Sequence, residues 1–218
     1  MGSKSPENEI QMTTKEPLTY LALGDSYTIG EGVEEKDRYP NQLVHLLNEN
    51  TEKTYAKPKI IAKTGWTVDE LEAGIKNEFI EGQTYDLVTL SIGVNNQYRG
   101  RSVTEYKKEF EQMLLKAIGF AGNLPNHVWV LSIPDWGVTP FASANDKDSM
   151  KVAQEIDEFN SAKKQVCEQY GVTYIDITEE YRQIGGKPEM LAGDQLHPSG
   201  LVYQSWAEQL YHSISNSL

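Results

Sequence analysis

The sequence predicts an α/β fold built on a parallel sheet covered by helices on both faces. Three observations predict it. Short apolar runs of strand length alternate with longer stretches whose apolar residues recur at a helical period. The stretches between successive apolar runs are long enough for right-handed crossovers, which parallel strands require. Glycine and polar residues collect just after the apolar runs, at the sheet end where open α/β sheets bind ligands.

The elements follow in order. Residues 18–23 (LTYLAL) read as the first strand. Residues 39–50 form a helix with Leu43, Val44, Leu46 and Leu47 on one side and Pro40 in its first turn. A second strand spans 59–62 (KIIA). Residues 68–80 read as a helix, with Val68, Leu71, Ile75 and Phe79 at helical spacing. A third strand spans 86–91. The helix expected over 103–120 carries Tyr106, Phe110, Met113, Leu114 and Ala117 on one face. Strand four is 127–133, a long helix covers 149–170, strand five is 172–177, and a closing helix covers 201–214.

Composition bounds the function. The chain has 218 residues, 39% hydrophobic and 24% charged, as in a soluble globular protein. Its formal charge of −12 argues against nucleic-acid or anionic-membrane partners, which call for a basic face. No apolar run approaches the ~18 residues of a membrane helix. The one cysteine, Cys167, excludes an intramolecular disulfide and reads as a small buried residue. Residues 1–17 form a polar tail without the apolar core of a signal peptide. The expected organisation is that tail followed by one domain over 18–218. The compartment is open, with export and removal of a signal as the expectation; the oligomeric state is open too.

The segments after the strands carry the chemistry. Gly24-Asp25-Ser26-Tyr27 follows strand one, and Gly24 permits a tight turn that exposes the Ser26 hydroxyl. A hydroxyl needs an adjacent base to act as a nucleophile. Taken alone, Ser26 reads as a turn or N-cap serine. His197 is the candidate base, because an unperturbed imidazole titrates near ~6.5 and can take and return a proton. Asp194, three residues earlier, can accept the other ring N–H and fix the tautomer. Asp-x-x-His alone is weak, since chance supplies it in about one such chain in five. His45, His127 and His212 lie in helix or strand patterns and read as structural. Gly65, in Thr64-Gly65-Trp66-Thr67 after strand two, offers a backbone N–H. Asn95, after Gly93, offers a side-chain amide. Both are donors of the kind that stabilise an oxyanion.

The order of these blocks resembles the SGNH (GDSL-type) hydrolase family. Gly24-Asp25-Ser26-Tyr27, Thr64-Gly65-Trp66-Thr67, Gly93-x-Asn95 and Asp194-x-x-His197-Pro198 match its blocks in sequence order, from residue 18 to about 206. Asn160 and residues 172–176 are similar to the family's fourth helix and fifth strand. The resemblance implies a three-layer α/β/α, flavodoxin-like fold with strand order 2-1-3-4-5. It implies Ser26 as nucleophile, His197 as acid and base, and Asp194 as its orienting partner. The Ser26 and Gly65 N–H groups and the Asn95 side chain would form the oxyanion hole. It implies no metal and no cofactor. One departure stands out: Asn96 occupies the place where the family usually has aspartate, so the hydrogen bonds of that aspartate are in question.

Asp25, Trp66, Asn96 and Trp136 are the expected lining of the substrate pocket. Indoles at a rim can stack on a sugar or pack an acyl chain, although packing alone explains Trp66 and Trp136 as well. The segment from Trp136 to Phe141 reads as a loop shaping the pocket, and Trp129 and Trp206 read as core. The expected function is hydrolysis of carboxylic esters with short acyl groups, acetyl on carbohydrate among them. Lysophospholipase, thioesterase and acyltransferase activities are alternatives within the same chemistry. A non-catalytic binding module on the same fold is the alternative of another class; the presence of Ser26, Gly65, Asn95, Asp194 and His197 together counts against it.

Overall fold

Five parallel strands form the sheet: β1 (Tyr20–Gly24), β2 (Lys59–Ala62), β3 (Leu87–Ser91), β4 (Val128–Leu131) and β5 (Thr173–Ile175). Their order is β2-β1-β3-β4-β5. The computed structural model describes residues 16–217, so all but the last two residues of the expected polar tail lie outside the described residues. The β1–β3 ladder runs from Tyr20 opposite Leu87 to Gly24 opposite Ser91, and β1–β2 pairs Leu21 with Lys59 through Gly24 with Ala62. Every residue of β1, β3 and β4 is buried. That is why these strands read as continuous apolar runs rather than alternating ones.

The helices are α1 (Ser26–Ile29), α2 (Tyr39–Asn50), α3 (Val68–Asn77), α4 (Val94–Tyr98), α5 (Val103–Phe120), α6 (Pro140–Ala144), α7 (Ser149–Tyr170), α8 (Thr178–Ile184) and α9 (Gly200–Ser215). Contacts between α3, α5 and α7 make one layer, and α2 against α9 makes the other. The three-layer α/β/α architecture and the strand order agree with the resemblance. In this order the chain reverses direction across the sheet between β1 and β3, and the crevice beyond their carboxyl ends is where such sheets bind ligands.

Local signals explain the element ends. Thr67 opens α3 with a capping box, its backbone N–H donating to Glu70 Oε2 at 2.9 Å. Asp148 caps α7 by accepting from the N–H groups of Met150 and Lys151. Gly171, left-handed at φ 67°, closes it.

The differences from expectation lie at ends and in short pieces. The helix expected to reach residue 80 stops at Asn77. Phe79, expected on its apolar face, is 86% exposed at φ 50°, and Ile80 takes the buried place. The first strand begins at Tyr20, because Leu18 leaves the ladder for a bridge to Tyr55. Segments of four to seven residues (α1, α4, α6, α8) are too short to show a helical period, so sequence patterning leaves them unassigned.

On the α2/α9 side, Trp206 is 1% exposed. Its ring centroid lies 5.2 Å from Tyr203, 6.1 Å from Tyr27, 6.2 Å from Tyr181 and 6.5 Å from Tyr39. Truncating such an aromatic costs ~3–5 kcal/mol, so this cluster anchors α9 and the loop entering it. Trp129 is fully buried and donates to Ser213 at 3.0 Å. Cys167 is also fully buried, which raises its thiol pKa to about 12.

Candidate active site

Beyond the carboxyl end of the sheet lies a cleft of about 210 Å³, lined by Ser26, Tyr27, Thr64, Gly65, Val94, Asn95, Tyr98, Trp136, Phe141, Leu196 and His197. Four of the positions expected to carry chemistry, Ser26, Gly65, Asn95 and His197, therefore face one space. The fifth, Asp194, reaches it through His197.

Ser26 is the first residue of α1 and is 4% exposed. Its backbone N–H is one of the first-turn amides that have no partner within a helix. Gly24 makes the turn possible by close approach: a Cβ there would lie 2.1 Å from Thr28 Oγ1 and 2.3 Å from the Ser91 carbonyl oxygen. Asp25 caps α1, its Oδ1 accepting from Tyr27 N–H at 3.1 Å. Asp25 is 1% exposed. Burial pushes its carboxyl pKa up to about 7, against the Tyr27 N–H and the Lys163 ammonium, which favour the charged form. Asp25 therefore braces the turn from beneath. It is not among the residues lining the cleft, which corrects the expectation.

His197 is held by its own loop. Asp194 Oδ2 lies 2.5 Å from His197 Nδ1, while Oδ1 accepts the N–H groups of Leu196 at 3.0 Å and His197 at 2.9 Å. Ala192 N–H donates to the His197 carbonyl at 2.8 Å, and Gln195 takes the left-handed conformation at φ 60°. The side chain that orients the imidazole thus also shapes the turn carrying it. Hydrogen bonds from His197 and from the loop amides hold the Asp194 carboxyl below its usual range, against partial burial. The Tyr27 ring packs on the imidazole at 5.4 Å.

Gly65 is the third residue of a turn closed by Trp66 N–H to the Lys63 carbonyl at 3.2 Å, with φ 86°. A turn of this hand needs positive φ there, hence glycine. Asn95 lies in α4 and donates through Nδ2 to the Trp66 carbonyl at 3.0 Å.

Asn96 and Trp66, both expected in the pocket, lie outside its lining. Trp66 packs against α3, where a Cβ on Gly74 would come within 2.1 Å of its ring. Asn96 is fully buried. Its Oδ1 accepts Val68 N–H at 3.1 Å and its Nδ2 donates to Glu109 Oε2 at 2.9 Å. The α3 amide that an aspartate could bind is thus still bound, and the donor end of asparagine meets a carboxylate. Burial, with Asp69 and Glu105 nearby, raises the Glu109 carboxyl pKa above its ordinary value. Asn96→Asp removes the donor and sets two carboxylates together. The expected cost is about 1–3 kcal/mol at neutral pH. Both carboxyl pKa values are then raised in the folded state, so the penalty vanishes below the unfolded carboxylate range and grows as pH rises through the folded values. Denaturant midpoints of the two proteins should diverge from pH 4 to pH 8; equal midpoints at pH 8 would contradict this account.

Trp136 does line the cleft, 3% exposed. Its indole N–H donates to Gln97 Oε1 at 2.9 Å, and its ring meets Tyr98 at 5.3 Å and Phe141 at 6.4 Å, edge to face. Asp135 caps the turn that begins at Trp136, accepting the Gly137 N–H, and pairs with Arg182 at 2.8 Å. Sequence reading missed Tyr98, Val94 and Leu196 as lining. The available signals were Tyr98 three residues after Asn95, on one helical turn, and Leu196 between Asp194 and His197. His45 pairs with Glu49 at 3.3 Å, and the ring of His127 bonds the Asp86 carbonyl at 2.9 Å, away from the cleft. Among the described residues no cluster of His, Cys, Asp or Glu could hold a metal ion, and no helix is long and apolar enough to cross a membrane.

The chain is similar to known proteins in family and in fold. The model of the GDSL-like lipase/acylhydrolase family matches residues 22–204. The fold is similar to that of a lipase/acylhydrolase from Enterococcus faecalis (TM-score 0.70, 19% identity, 91% of this chain and 96% of that one). It is also similar to an acetylxylan esterase from Geobacillus stearothermophilus (0.68, 18%, 90% and 94%). A psychrotrophic esterase from Pseudoalteromonas sp. is a third such structure (0.67, 17%, 91% and 97%). At these identities the likeness is one of fold. No match was found among curated protein sequences.

Proposed function

The chain belongs to the GDSL-like lipase/acylhydrolase family, and from that premise we propose that it is a serine esterase acting on carboxylic esters with short acyl groups. One observation carries the reading: Ser26, Gly65, Asn95 and His197 line a single cleft, and Asp194 holds the far side of the His197 ring at 2.5 Å. Ser26 Oγ adds to the ester carbonyl carbon while its proton passes to His197 Nε2. The negative carbonyl oxygen is received by the N–H groups of Ser26 and Gly65 and by the Asn95 amide. As the tetrahedral intermediate collapses, the alcohol leaves with the proton from His197. Water then attacks the acyl-enzyme, giving its proton to His197, and Ser26 is regenerated with release of the acid. Asp194 keeps the Nδ1 proton in place and stabilises the imidazolium formed at each stage.

The size and lining of the cleft support the short-acyl preference. About 210 Å³ lies below the ~300–1,000 Å³ of pockets that take drug-sized ligands. Trp136, Phe141, Tyr98, Val94 and Leu196 give it apolar walls. With p-nitrophenyl esters, kcat/KM should be highest from acetyl to butyryl and fall tenfold or more by decanoyl; a decanoate optimum would overturn the preference. Acetylated sugars belong in the same screen, because Tyr98 is 50% exposed beside Trp136 and aromatic rings of this kind pack on sugar rings.

A further inference from the structure

The turn at residues 64–67 carries the Gly65 N–H; Trp66 packs beside Gly74 and the Thr64 hydroxyl donates to Glu31, but no side chain packs over Gly65 itself. A Cβ built on Gly65 meets nothing nearer than the Arg99 guanidinium, 4.0 Å away. Polar contacts from Asn95 in α4 and from Arg99, the residue that caps it, also hold the turn. Arg99 Nη2 donates to the Gly65 carbonyl at 2.6 Å, and Asn95 Nδ2 donates to the Trp66 carbonyl at 3.0 Å. Asn95 and Arg99 are four residues apart, so one face of the helix grips two successive carbonyls. Glu70 closes the circuit. Its carboxylate takes the Arg99 fork at 3.1 Å on each arm and also accepts the Thr67 N–H at 2.9 Å. A planar fork suits this double duty: one nitrogen serves both the Gly65 carbonyl and Glu70, while the other holds Glu70.

We propose that Arg99 is a positioning residue of the oxyanion hole, holding the Gly65 turn in register with Asn95 so that their donors meet the same oxygen. This rests on the esterase reading above. Such donors stabilise the transition state only when correctly placed, and a misplacement of about 1 Å can cost about a hundredfold in rate. Arg99 and Glu70 are both partly exposed, so their ion pair adds little to stability. Function and folding should therefore separate on substitution.

The test compares wild type, Arg99→Ala, Arg99→Lys and Lys116→Ala on p-nitrophenyl acetate, with thermal midpoints alongside. Lys116 pairs with Glu72 away from the cleft and controls for loss of one positive charge. Arg99→Ala is expected to lower kcat about 10- to 100-fold with KM within twofold. Arg99→Lys, which keeps one donor nitrogen but loses the two-armed fork to Glu70, should recover part of that loss. Lys116→Ala should match wild type. An unchanged kcat in Arg99→Ala, a change confined to KM, or a kcat loss matched by a collapse of the thermal midpoint in both Arg99 variants would overturn the role. An inactive wild type, or a Ser26→Ala protein as active as wild type, would overturn the esterase reading itself. An inactive Ser26→Ala with wild-type kcat in Arg99→Ala would remove only the role of Arg99.

Discussion

Replacing Ser26 by alanine should abolish ester hydrolysis while leaving the fold intact. The change removes one oxygen from a side chain that is 4% exposed. The backbone contacts of the turn are untouched: the Ser26 carbonyl accepts the Glu31 N–H at 3.0 Å, and the Asp25 carboxylate caps α1. The thermal midpoint should therefore stay near that of wild type. Turnover has no such reserve. Without Oγ there is no acyl-enzyme, and the donors left behind can only polarise a bound carbonyl for slow attack by water. Loss of a nucleophile of this kind lowers kcat by roughly 10⁴- to 10⁶-fold. Single-turnover assays should show no burst of p-nitrophenol. A folded Ser26→Ala protein retaining even a tenth of wild-type kcat would place the nucleophile elsewhere.

Asp194→Asn should be nearly as damaging, through the tautomer of His197. Asp194 is committed on both oxygens: Oδ1 to the Leu196 and His197 N–H groups, Oδ2 to the imidazole Nδ1. Asparagine keeps one oxygen. Two backbone donors claim it, which turns the new amide NH₂ towards the ring. Nδ1 must then accept, and the ring proton moves to Nε2, the nitrogen that should receive the Ser26 proton. The expected loss in kcat is on the order of 10³- to 10⁴-fold, with little change in KM. An Asp194→Asn protein within tenfold of wild-type kcat would reduce Asp194 to a loop-shaping residue.

The long elements were legible because burial imposes period on sequence. The apolar spacing of α2, α5 and α7 and the unbroken apolar runs of β1, β3 and β4 follow from which faces touch the core. Phe79 shows the limit of that logic: it continues the apolar spacing of α3, yet the chain leaves the helix at Glu78 and buries Ile80 instead.

Sequence by itself determined the strand–helix alternation and the order in which Ser26, Gly65, Asn95, Asp194 and His197 occur. It placed them after strands, or before the last helix, because glycine turns and polar residues cannot continue a buried strand. Tertiary structure alone decided which side chains face the cleft. Trp66 and Trp136 are the same residue type, both following strands. One lies across Gly74 on α3, and the other is turned into the cleft between Tyr98 and Phe141. Asn96 likewise sits beside Asn95, but successive residues on a helix point about 100° apart, so one lines the cleft and the other is buried against Val68 and Glu109. The grip of Arg99 on Gly65 joins residues 34 positions apart. Such contacts are set by how α3 and α4 meet above the sheet, and no local pattern of residues encodes that meeting.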